Sequence, residues 1–177
     1  KSHVNLDGWT RIGAGCTIWP FASVGSLTQD LKYDGGRPGV VIGEGTTLRE
    51  YVTVNSATFD GDLTVVGDRC HIMAYCHVAH DCILGDEIIM ANAATLAGHV
   101  IIEDQAIIGG LSGVHQFVTI GRQAIVGGCS KVVKDLPPFL MADGHPLHVR
   151  GLNRVGLQRR GVAESSINAL KECFKWV

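Results

Sequence analysis

The chain has 177 residues, about the length of one domain, and 46% of them are hydrophobic while only 6% are aromatic. Its formal net charge of −2 argues against general binding to nucleic acid or to a membrane surface. No apolar run approaches the roughly 20 residues that span a bilayer, and no signal peptide is visible.

An apolar residue recurs every six positions through most of the chain. The period appears first in residues 6–24, breaks in a polar stretch at 27–40, resumes at 42–54 and breaks again at 59–65. It then runs without a slip through residues 66–134, and Pro137 and Pro138 are expected to end it because proline cannot donate to a sheet ladder. In this long array the apolar position is held by Val66, Ile72, Val78, Leu84, Met90, Leu96, Ile102, Ile108, Val114, Ile120, Val126 and Val132.

A second position, four residues after each of these, holds small or β-branched residues such as Cys70, Ala94 and Ser130. A period of six fits neither the 3.6 residues of a helix nor the alternation of a simple strand. Hexapeptide periodicity is typical of a parallel β-helix. The sequence therefore predicts an all-β repeat over residues 1–137, in which three hexapeptides form one coil of a triangular prism.

Both breaks in the period fall at the same place in a coil, directly after its third face. The two inserted loops are therefore predicted to leave the prism at one corner. Loops extruded at one edge of a repeat scaffold commonly build its binding face. We expect functional residues at this corner.

The tail, residues 138–177, is predicted to be a helical region. One short helix is expected over residues 152–160, capped by Gly161, and a second over 164–176 with Ile167, Leu170 and Phe174 on one face. From Arg150 onward six Lys or Arg stand against two Glu. This basic excess is either a solvated face or a surface that receives an acidic partner.

Cysteines occupy the small position of several hexapeptides, at Cys16, Cys70, Cys76 and Cys82. The favoured interpretation is that they are buried free thiols used as small hydrophobes. The alternative is that Cys70, Cys76 and Cys82, one on each face of a coil, converge on a metal ion. Reduced thiols favour a cytoplasmic location.

Three histidines fall at adjacent positions when successive coils are superposed, with His99 one position after His80 and His115 one position before it. Neighbouring coils are about 4.8 Å apart, so these side chains are predicted to stack at the corner of the insertions, with Asp81 beside them. One interpretation is a general base whose tautomer is fixed by a carboxylate. The other is a zinc site of three histidines, which the spread over three coils disfavours unless a second subunit takes part.

The sequence resembles the UDP-N-acetylglucosamine O-acyltransferases, which begin the biosynthesis of lipid A in lipopolysaccharide. The resemblance covers nearly the whole chain, and the HxxHD, AGH and VHQF motifs at their spacing are specific to this family. The matching segments, in order, are QDLKY (29–33), REYVTVN (49–55), HVAHDC (77–82), TLAGHV (95–100), GVHQF (113–117), VGGCS (126–130), DLPPF (135–139) and GLQRRG (156–161).

This resemblance implies a left-handed parallel β-helix, an exception to the usual right-handed crossover, followed by a helical region. It implies a homotrimer with active sites between subunits. The implied reaction moves a 3-hydroxyacyl group from acyl carrier protein to the glucosamine 3-hydroxyl of UDP-N-acetylglucosamine. No cofactor is expected apart from the phosphopantetheine arm that carries the acyl group, and no metal is expected.

The resemblance also implies roles for single residues. His80 matches the general base, Asp81 its orienting carboxylate, and the Gly98 N–H the oxyanion donor. Gly128 matches the position that limits acyl length, and its lack of a side chain implies that a longer chain is admitted. Substrate contacts are implied for Asp30, Lys32, His77, His99, His115, Gln116, Asn153 and Arg159. The acidic carrier protein is expected to meet the basic tail together with Lys131 or Lys134.

Two departures from the family pattern concern the sugar and nucleotide contacts. Asn55 and Ser56 stand where the bacterial pattern has His and Arg, and Val155 stands where Glu is expected. An N-acyltransferase acting on a UDP-3-amino sugar therefore remains an alternative, as does a zinc-dependent hydratase of the γ-carbonic anhydrase type. A non-catalytic scaffold is disfavoured by the stacked histidines. The family normally has further N-terminal coils and more helix after Val177, so a longer protein is expected.

Overall fold

The computed structural model describes residues 1–174 and contains a parallel β-helix followed by two short helices. Its early strands, in chain order, are β1 Asn5–Leu6, β2 Trp9–Ile12, β3 Thr17–Ile18, β4 Ser23–Ser26, β5 Gly39–Ile42, β6 Thr47–Leu48, β7 Thr53–Asn55, β8 Leu63–Val66, β9 His71–Ile72 and β10 His77–Val78. The later strands are β11 Ile83–Leu84, β12 Ile89–Met90, β13 Thr95–Leu96, β14 Ile101–Ile102, β15 Ile107–Ile108, β16 Gly113–Val114, β17 Thr119–Ile120, β18 Ile125–Val126, β19 Lys131–Val132, β20 Leu140–Asp143 and β21 His148–Leu152.

Every third strand stacks on the same face, which gives the three faces that the period predicts. Sheet A contains β1, β4, β7, β10, β13, β16 and β19; sheet B contains β2, β5, β8, β11, β14 and β17; sheet C contains β3, β6, β9, β12, β15, β18, β20 and β21. All neighbouring pairs are parallel except β20 and β21. The prediction of a left-handed parallel β-helix is confirmed.

The interior is filled by the two predicted positions of each hexapeptide. From Val66 to Val132 every apolar position is at most 3% exposed, and the small position is at most 4% exposed. At each corner one residue adopts a left-handed backbone, as at Asp81, Glu87 and Ala93, so that the chain turns within a few residues between strands.

Polar atoms inside this narrow core are satisfied by the neighbouring coil. The thiols of Cys70, Cys76 and Cys82 donate to the carbonyls of Gly85, Ala91 and Ala97 at 3.1–3.2 Å, and Ser112 donates likewise to Gly127. Burial raises the pKa of the three thiols to about 11, 11 and 12 respectively. The interpretation as buried free thiols is confirmed for Cys70, Cys76 and Cys82, whereas Cys16 is half-buried. Within residues 1–174 these three cysteines do not form a group that could hold a metal ion.

The β structure extends beyond the predicted boundary at residue 137. Leu136 forms a bridge with Ile120, and β20 then adds to β18 in sheet C before β21 folds back on it. Pro137 lies at a corner of the last coil, where no further coil accepts a hydrogen bond from its position, so the proline costs no ladder bond. The helical region accordingly begins at Arg154 rather than at residue 138.

The two helices are α1, Arg154–Arg159, and α2, Glu164–Phe174. Asn153 caps α1, because its Oδ1 accepts a hydrogen bond from Gly156 N–H at 3.0 Å. Helix α2 buries Ile167, as predicted. The predicted end of this helix at residue 176 lies outside the described residues. In the part of the chain that the structure describes, no helix has the length and apolarity required to cross a membrane.

Candidate active site

One corner of the prism gathers the predicted catalytic residues. The turn 79–82 joins β10 of sheet A to β11 of sheet B. Residues 27–38 and 56–62 make the same crossing from sheet A to sheet B in the two preceding coils. Both insertions therefore leave from the corner that carries His80, which confirms the prediction made from the phase of the repeat.

His80 and Asp81 form a hydrogen-bonded pair in this turn. His80 Nδ1 lies 2.8 Å from Asp81 Oδ2, a distance that suits Nδ1–H donating to the carboxylate and leaves Nε2 unprotonated. The Asp81 backbone is left-handed (φ 59°), and its N–H donates to Thr64 Oγ1 at 2.9 Å. The turn thus aims the carboxylate back at the preceding side chain.

The surroundings of Asp81 keep it ionised. Burial acts to raise the pKa of its carboxyl group, but hydrogen bonds from His80 and Thr58, together with the nearby His99, outweigh burial and lower the pKa below its ordinary value. An ionised carboxylate can both orient the imidazole and stabilise the imidazolium that forms when His80 takes a proton.

His99, from the next coil, lies against this pair. Its ring meets His80 edge to face at 5.2 Å and stacks on Phe117 at 4.7 Å, while its Nε2 is 3.7 Å from Asp81 Oδ2. The predicted stack of three histidines therefore holds for His80 and His99. The exposed His115 turns aside, and its Nδ1 donates to Gln116 O at 3.1 Å.

Asp30, from the first insertion, joins the corner instead of His115. One ligand atom each of Asp30, His80 and His99 lie within 4.8 Å of one another, and within residues 1–174 this is the group with metal-ligand geometry. The predicted zinc set of three histidines does not assemble within one chain.

Gly98 lies against Nε2, the other ring nitrogen of His80. A Cβ at this position would lie 2.3 Å from His80 Cε1 and 2.5 Å from Nε2, closer than any side chain is tolerated. Within the described chain the Gly98 N–H has no acceptor. A backbone donor next to an unprotonated imidazole nitrogen is the arrangement that acyl transfer requires.

A pocket of about 500 Å³ opens in front of these groups. Of the predicted residues it is lined by His77, His80, Gly98, His115 and Gln116. His77 lies 2.7 Å from the Thr53 hydroxyl, and its burial, followed by the proximity of His80, lowers its pKa. Lining residues that the sequence did not single out as site residues are Gln29, Ala79, Thr95, Leu96, Ala97, Gly113, Val114, Val132 and Val133, and Lys131, expected at the carrier-protein surface, also lines the pocket.

Four other predicted residues lie elsewhere in the chain. Lys32 is exposed, and its backbone N–H donates to Asp30 Oδ1 at 3.0 Å. Gly128 is exposed at the corner between sheets C and A. Asn153 and Arg159 line a second pocket of about 420 Å³ against sheet C, together with Val155. The His80 pocket lies along sheet A, which contains His77. Asn153 and Arg159 lie over sheet C and therefore do not line that pocket within one chain.

The residues that depart from the family pattern anchor the first insertion. Asn55 Nδ2 donates to the carbonyls of Ser26 and Leu27 at 3.2 and 2.9 Å. The Ser56 hydroxyl accepts a hydrogen bond from Thr28 N–H at 3.2 Å. Both side chains are buried, so they hold the loop that delivers Asp30.

Sequence reasoning missed Thr58, which is fully buried behind the pair. Its hydroxyl lies 3.1 Å from His80 Nδ1, and its N–H donates to Asp81 Oδ1 at 3.2 Å. Thr58 stands 23 residues before Asp81. This is not the spacing of residues that superpose in neighbouring coils, because the second insertion lies between them. The period therefore carried no signal for this contact.

Two family models match the chain. One is described as UDP-N-acetylglucosamine O-acyltransferase, domain 2, and matches residues 135–177. The other, bacterial transferase hexapeptide (six repeats), matches residues 63–98.

Curated relatives match over almost the whole chain. Acyl-[acyl-carrier-protein]–UDP-N-acetylglucosamine O-acyltransferases of Synechocystis sp. and Thermodesulfovibrio yellowstonii are 51% and 53% identical, each over 98% of the chain. The chain spans 63% and 68% of the length of these two relatives.

Solved structures give the same picture. The UDP-N-acetylglucosamine acyltransferase LpxA of Bacteroides fragilis superposes with a TM-score of 0.96 at 35% identity, over 99% of this chain and 69% of that one. The corresponding protein of Francisella novicida superposes with a TM-score of 0.97 at 37% identity, over 99% of this chain and 65% of that one.

Proposed function

The chain belongs to the UDP-N-acetylglucosamine O-acyltransferase family, and on this basis we propose that it transfers a 3-hydroxyacyl group from acyl carrier protein to the glucosamine 3-hydroxyl of UDP-N-acetylglucosamine, in lipid A biosynthesis. The observation that carries the proposal is the pairing at His80. Its Nδ1 is held by Asp81, and its Nε2 lies against Gly98, on the side where a Cβ would be, in an open pocket.

His80 is the general base of this reaction. Nε2 removes the proton from the sugar 3-hydroxyl as the oxygen attacks the thioester carbonyl, and Asp81 stabilises the imidazolium. The Gly98 N–H donates to the carbonyl oxygen as it becomes negative in the tetrahedral intermediate. Collapse of the intermediate breaks the carbon–sulfur bond, and the proton on His80 passes to the departing thiolate of the phosphopantetheine arm. No further cofactor takes part.

Binding is divided between two copies of the chain. Asp30, Lys32, His77, His99, His115 and Gln116 approach the sugar nucleotide or the acyl arm from the copy that supplies His80. Asn153 and Arg159 reach the nucleotide phosphates from the neighbouring copy, because they lie over sheet C and cannot reach sheet A of their own chain. Arginine is well suited to phosphate because it stays charged and offers several donors.

A homotrimer follows from this division. If sheet A of each copy meets sheet C of the next, the contact is heterologous and closes into a ring. The corner that sheets A and C share then faces the threefold axis. This corner is apolar and exposed in a single chain: Phe21, Tyr51 and Tyr75 stack in sequence at 5.0 and 4.8 Å, and Leu111 continues the same column.

The acyl chain lies between the copies and ends near Gly128, whose missing side chain admits a longer chain. The acidic acyl carrier protein docks at Lys131, Lys134 and the basic tail. The compartment is the cytoplasm, in keeping with six free cysteines.

Purified protein, UDP-N-acetylglucosamine and a panel of acyl carrier proteins test the proposal, with mass spectrometry of the product. We expect an O-acylated sugar nucleotide from the native chain and at least a 100-fold loss of turnover in His80→Ala, with circular dichroism unchanged. His148→Ala serves as the matched control because His148 is exposed in β21. Near-native turnover in His80→Ala would remove the base from the proposal.

The same assay separates the N-acyl alternative, which the Asn55–Ser56 departure favours. A UDP-3-amino sugar supplied in parallel would then be the better acceptor, and its product would resist mild alkali as an amide does. The zinc hydratase is tested by metal analysis, where stoichiometric zinc that is lost in His80→Ala would favour it.

A further inference from the structure

Two buried threonine hydroxyls link the first insertion to the catalytic pair. Thr28 Oγ1 lies 3.2 Å from Thr58 Oγ1, and Thr58 Oγ1 lies 3.1 Å from His80 Nδ1. Thr58 is fully buried and Thr28 is 8% exposed. At the outer end, the N–H of Asp30 donates to Thr28 Oγ1 at 3.1 Å. The series of contacts thus runs from the loop of Asp30 to the base.

The direction of each hydrogen bond follows from the protonation of His80. A general base needs a free Nε2, so the proton sits on Nδ1 and points toward Asp81 Oδ2. The Thr58 hydroxyl cannot then donate to Nδ1, and a hydrogen bond from it to the Asp81 carboxylate helps to lower the pKa of that group. Asp81 Oδ1 also accepts the Thr58 N–H at 3.2 Å. Thr28 in turn donates to Thr58 and accepts from Asp30 N–H, so each hydroxyl gives one bond and receives one.

We propose that Thr58 is a positioning residue for the base and that the Thr28–Thr58 hydroxyl pair couples the substrate loop to it. Thr58 holds the Asp81 carboxylate from two sides, and the carboxylate holds His80 in the tautomer with Nε2 free. Binding of the sugar nucleotide at Asp30 tightens the same network. The inference rests on the proposed function of His80, and it adds a pair of residues that never touch the substrate.

The substitution Thr58→Val tests whether Thr58 positions His80, because valine keeps the shape and burial of threonine and removes only the hydroxyl. We expect kcat to fall by about tenfold, the loss associated with one hydrogen bond to a charged group. KM should stay within about twofold. Thr58→Ser, which restores a hydroxyl, should recover most of the loss.

Thr46→Val is the matched control. Thr46 is equally buried, donates to Gly67 O at 2.7 Å and accepts from Cys70 N–H at 2.9 Å, but it lies at a different corner. A structural defect would affect both valine variants alike, whereas a positioning role predicts that kcat falls in Thr58→Val alone. Equal kcat in Thr58→Val and the native chain would overturn the inference.

A readout independent of turnover is the ¹⁵N shift of the His80 ring nitrogens, assigned by comparison with His80→Gln. The native chain should show the Nδ1–H tautomer, and Thr58→Val should show a mixture of both tautomers. An unchanged tautomer in Thr58→Val would contradict the positioning role even if the chain were active. An inactive native chain with the expected tautomer shift would instead discredit the proposed function and leave the positioning role standing.

The coupling itself is tested by a double-mutant cycle with Thr28→Val. If the two hydroxyls act as a unit, the double variant loses no more kcat than Thr58→Val alone. Additive losses would mean that Thr28 serves only its own loop.

Discussion

His80 and Gly98 occupy a space that has no room for a side chain. Any Cβ at residue 98 would lie within 2.5 Å of both Cε1 and Nε2 of the imidazole, so the ring would have to turn away from Asp81. Glycine here is required by close approach rather than by backbone freedom. The positions of His80 and Gly98, the proposed base and oxyanion donor, therefore depend on each other.

We expect Gly98→Ala to lower kcat by about 100-fold, the loss associated with a displaced general base, because the added Cβ pushes the imidazole of His80 aside while the backbone N–H of residue 98 is kept. Gly113→Ala is the comparison, because it adds a methyl group to the wall of the same pocket where a Cβ meets nothing within 4 Å, and so separates crowding of His80 from loss of pocket space. Steady-state kinetics and a thermal melt of both variants give the measurement. If the two alanine variants had the same kcat, the crowding around His80 would not matter for turnover.

Protonation of His77 and Asp81 also predicts how stability depends on pH. Both folded pKa values are lowered, so the unfolded chain binds protons more readily and the unfolding free energy falls as pH falls. For His77 the loss begins near its unfolded pKa of about 6.5, and for Asp81 near about 3.9. Each loss is complete once the pH drops below the folded pKa.

Urea unfolding from pH 7 to pH 3, at one protein concentration, measures this slope. His77→Gln should flatten the curve below about pH 6.5. Asp81→Asn should flatten it only below about pH 4. The assignment to His77 fails if His77→Gln keeps the native slope between these limits.

The residues that the sequence revealed at this corner are those that obey the period. His80 and Asp81 lie on the turn of one coil, and His99 lies on the same turn of the next coil, eighteen residues after Asp81. Thr58 and Asp30 lie in insertions, where the path of the chain is set by buried hydrogen bonds such as those of Asn55. No pattern of residue types encodes those bonds, so the contacts emerged only from the structure.

At the scale of the repeat, the small position of the hexapeptide has two roles: its side chain fills the core, and a thiol or hydroxyl there donates a hydrogen bond to a backbone carbonyl. Cys70, Cys76, Cys82 and Ser112 each donate from this position to the carbonyl fifteen residues later in the next coil, whereas Ser130, in the last full coil, donates back to Gly127 O. A carbonyl near a corner is thereby satisfied without widening the core. Cysteine suits this position because it is small and apolar enough to be buried.

Because they are buried at this position, Cys70, Cys76 and Cys82 are predicted to be unreactive. With pKa values of about 11, 11 and 12, only about one thiol in a thousand or fewer is ionised at pH 8 even if it were reached by solvent. A maleimide or disulfide reagent should leave all three unmodified in the folded protein and modify them in urea, as peptide mass spectrometry would reveal. Rapid labelling of Cys76 in the folded chain would contradict its place in the core.

At the end of the β-helix, the prediction made from the two prolines was wrong. Two consecutive prolines argued for the end of the β structure, yet strand β20 follows them and pairs with β18. The prolines fall at a corner of the last coil, where the missing N–H groups have no acceptor to lose. Periodicity predicts the elements that repeat, whereas the last element depends on what lies beside it.

For the whole molecule, the proposed homotrimer is argued from the separation of the two pockets. The His80 pocket opens on sheet A, and Asn153 and Arg159 lie over sheet C. The corner between sheets B and C is polar, with Arg69, Glu87, Gln105 and Gln123 in its column, and Arg69 paired to Glu87 at 3.6 Å. The apolar column of Phe21, Tyr51, Tyr75 and Leu111 lies at the opposite corner of sheet C. In the proposed homotrimer, a contact of sheet A with sheet C would bring both pockets together and cover the apolar column.

This arrangement predicts which engineered cysteine cross-links. In a Cys129→Ser, Cys173→Ser background, which removes both exposed thiols, Leu111→Cys should form a disulfide-linked dimer under mild oxidation, because three copies of the position would meet at the axis of the proposed homotrimer. Gln105→Cys, in the polar column, should stay monomeric on a non-reducing gel. Light scattering should give three times the 18.9 kDa chain mass for both variants. A cross-link at residue 105 without one at 111 would place the polar corner at the axis, and Asn153 and Arg159 could then not complete the site of a neighbour.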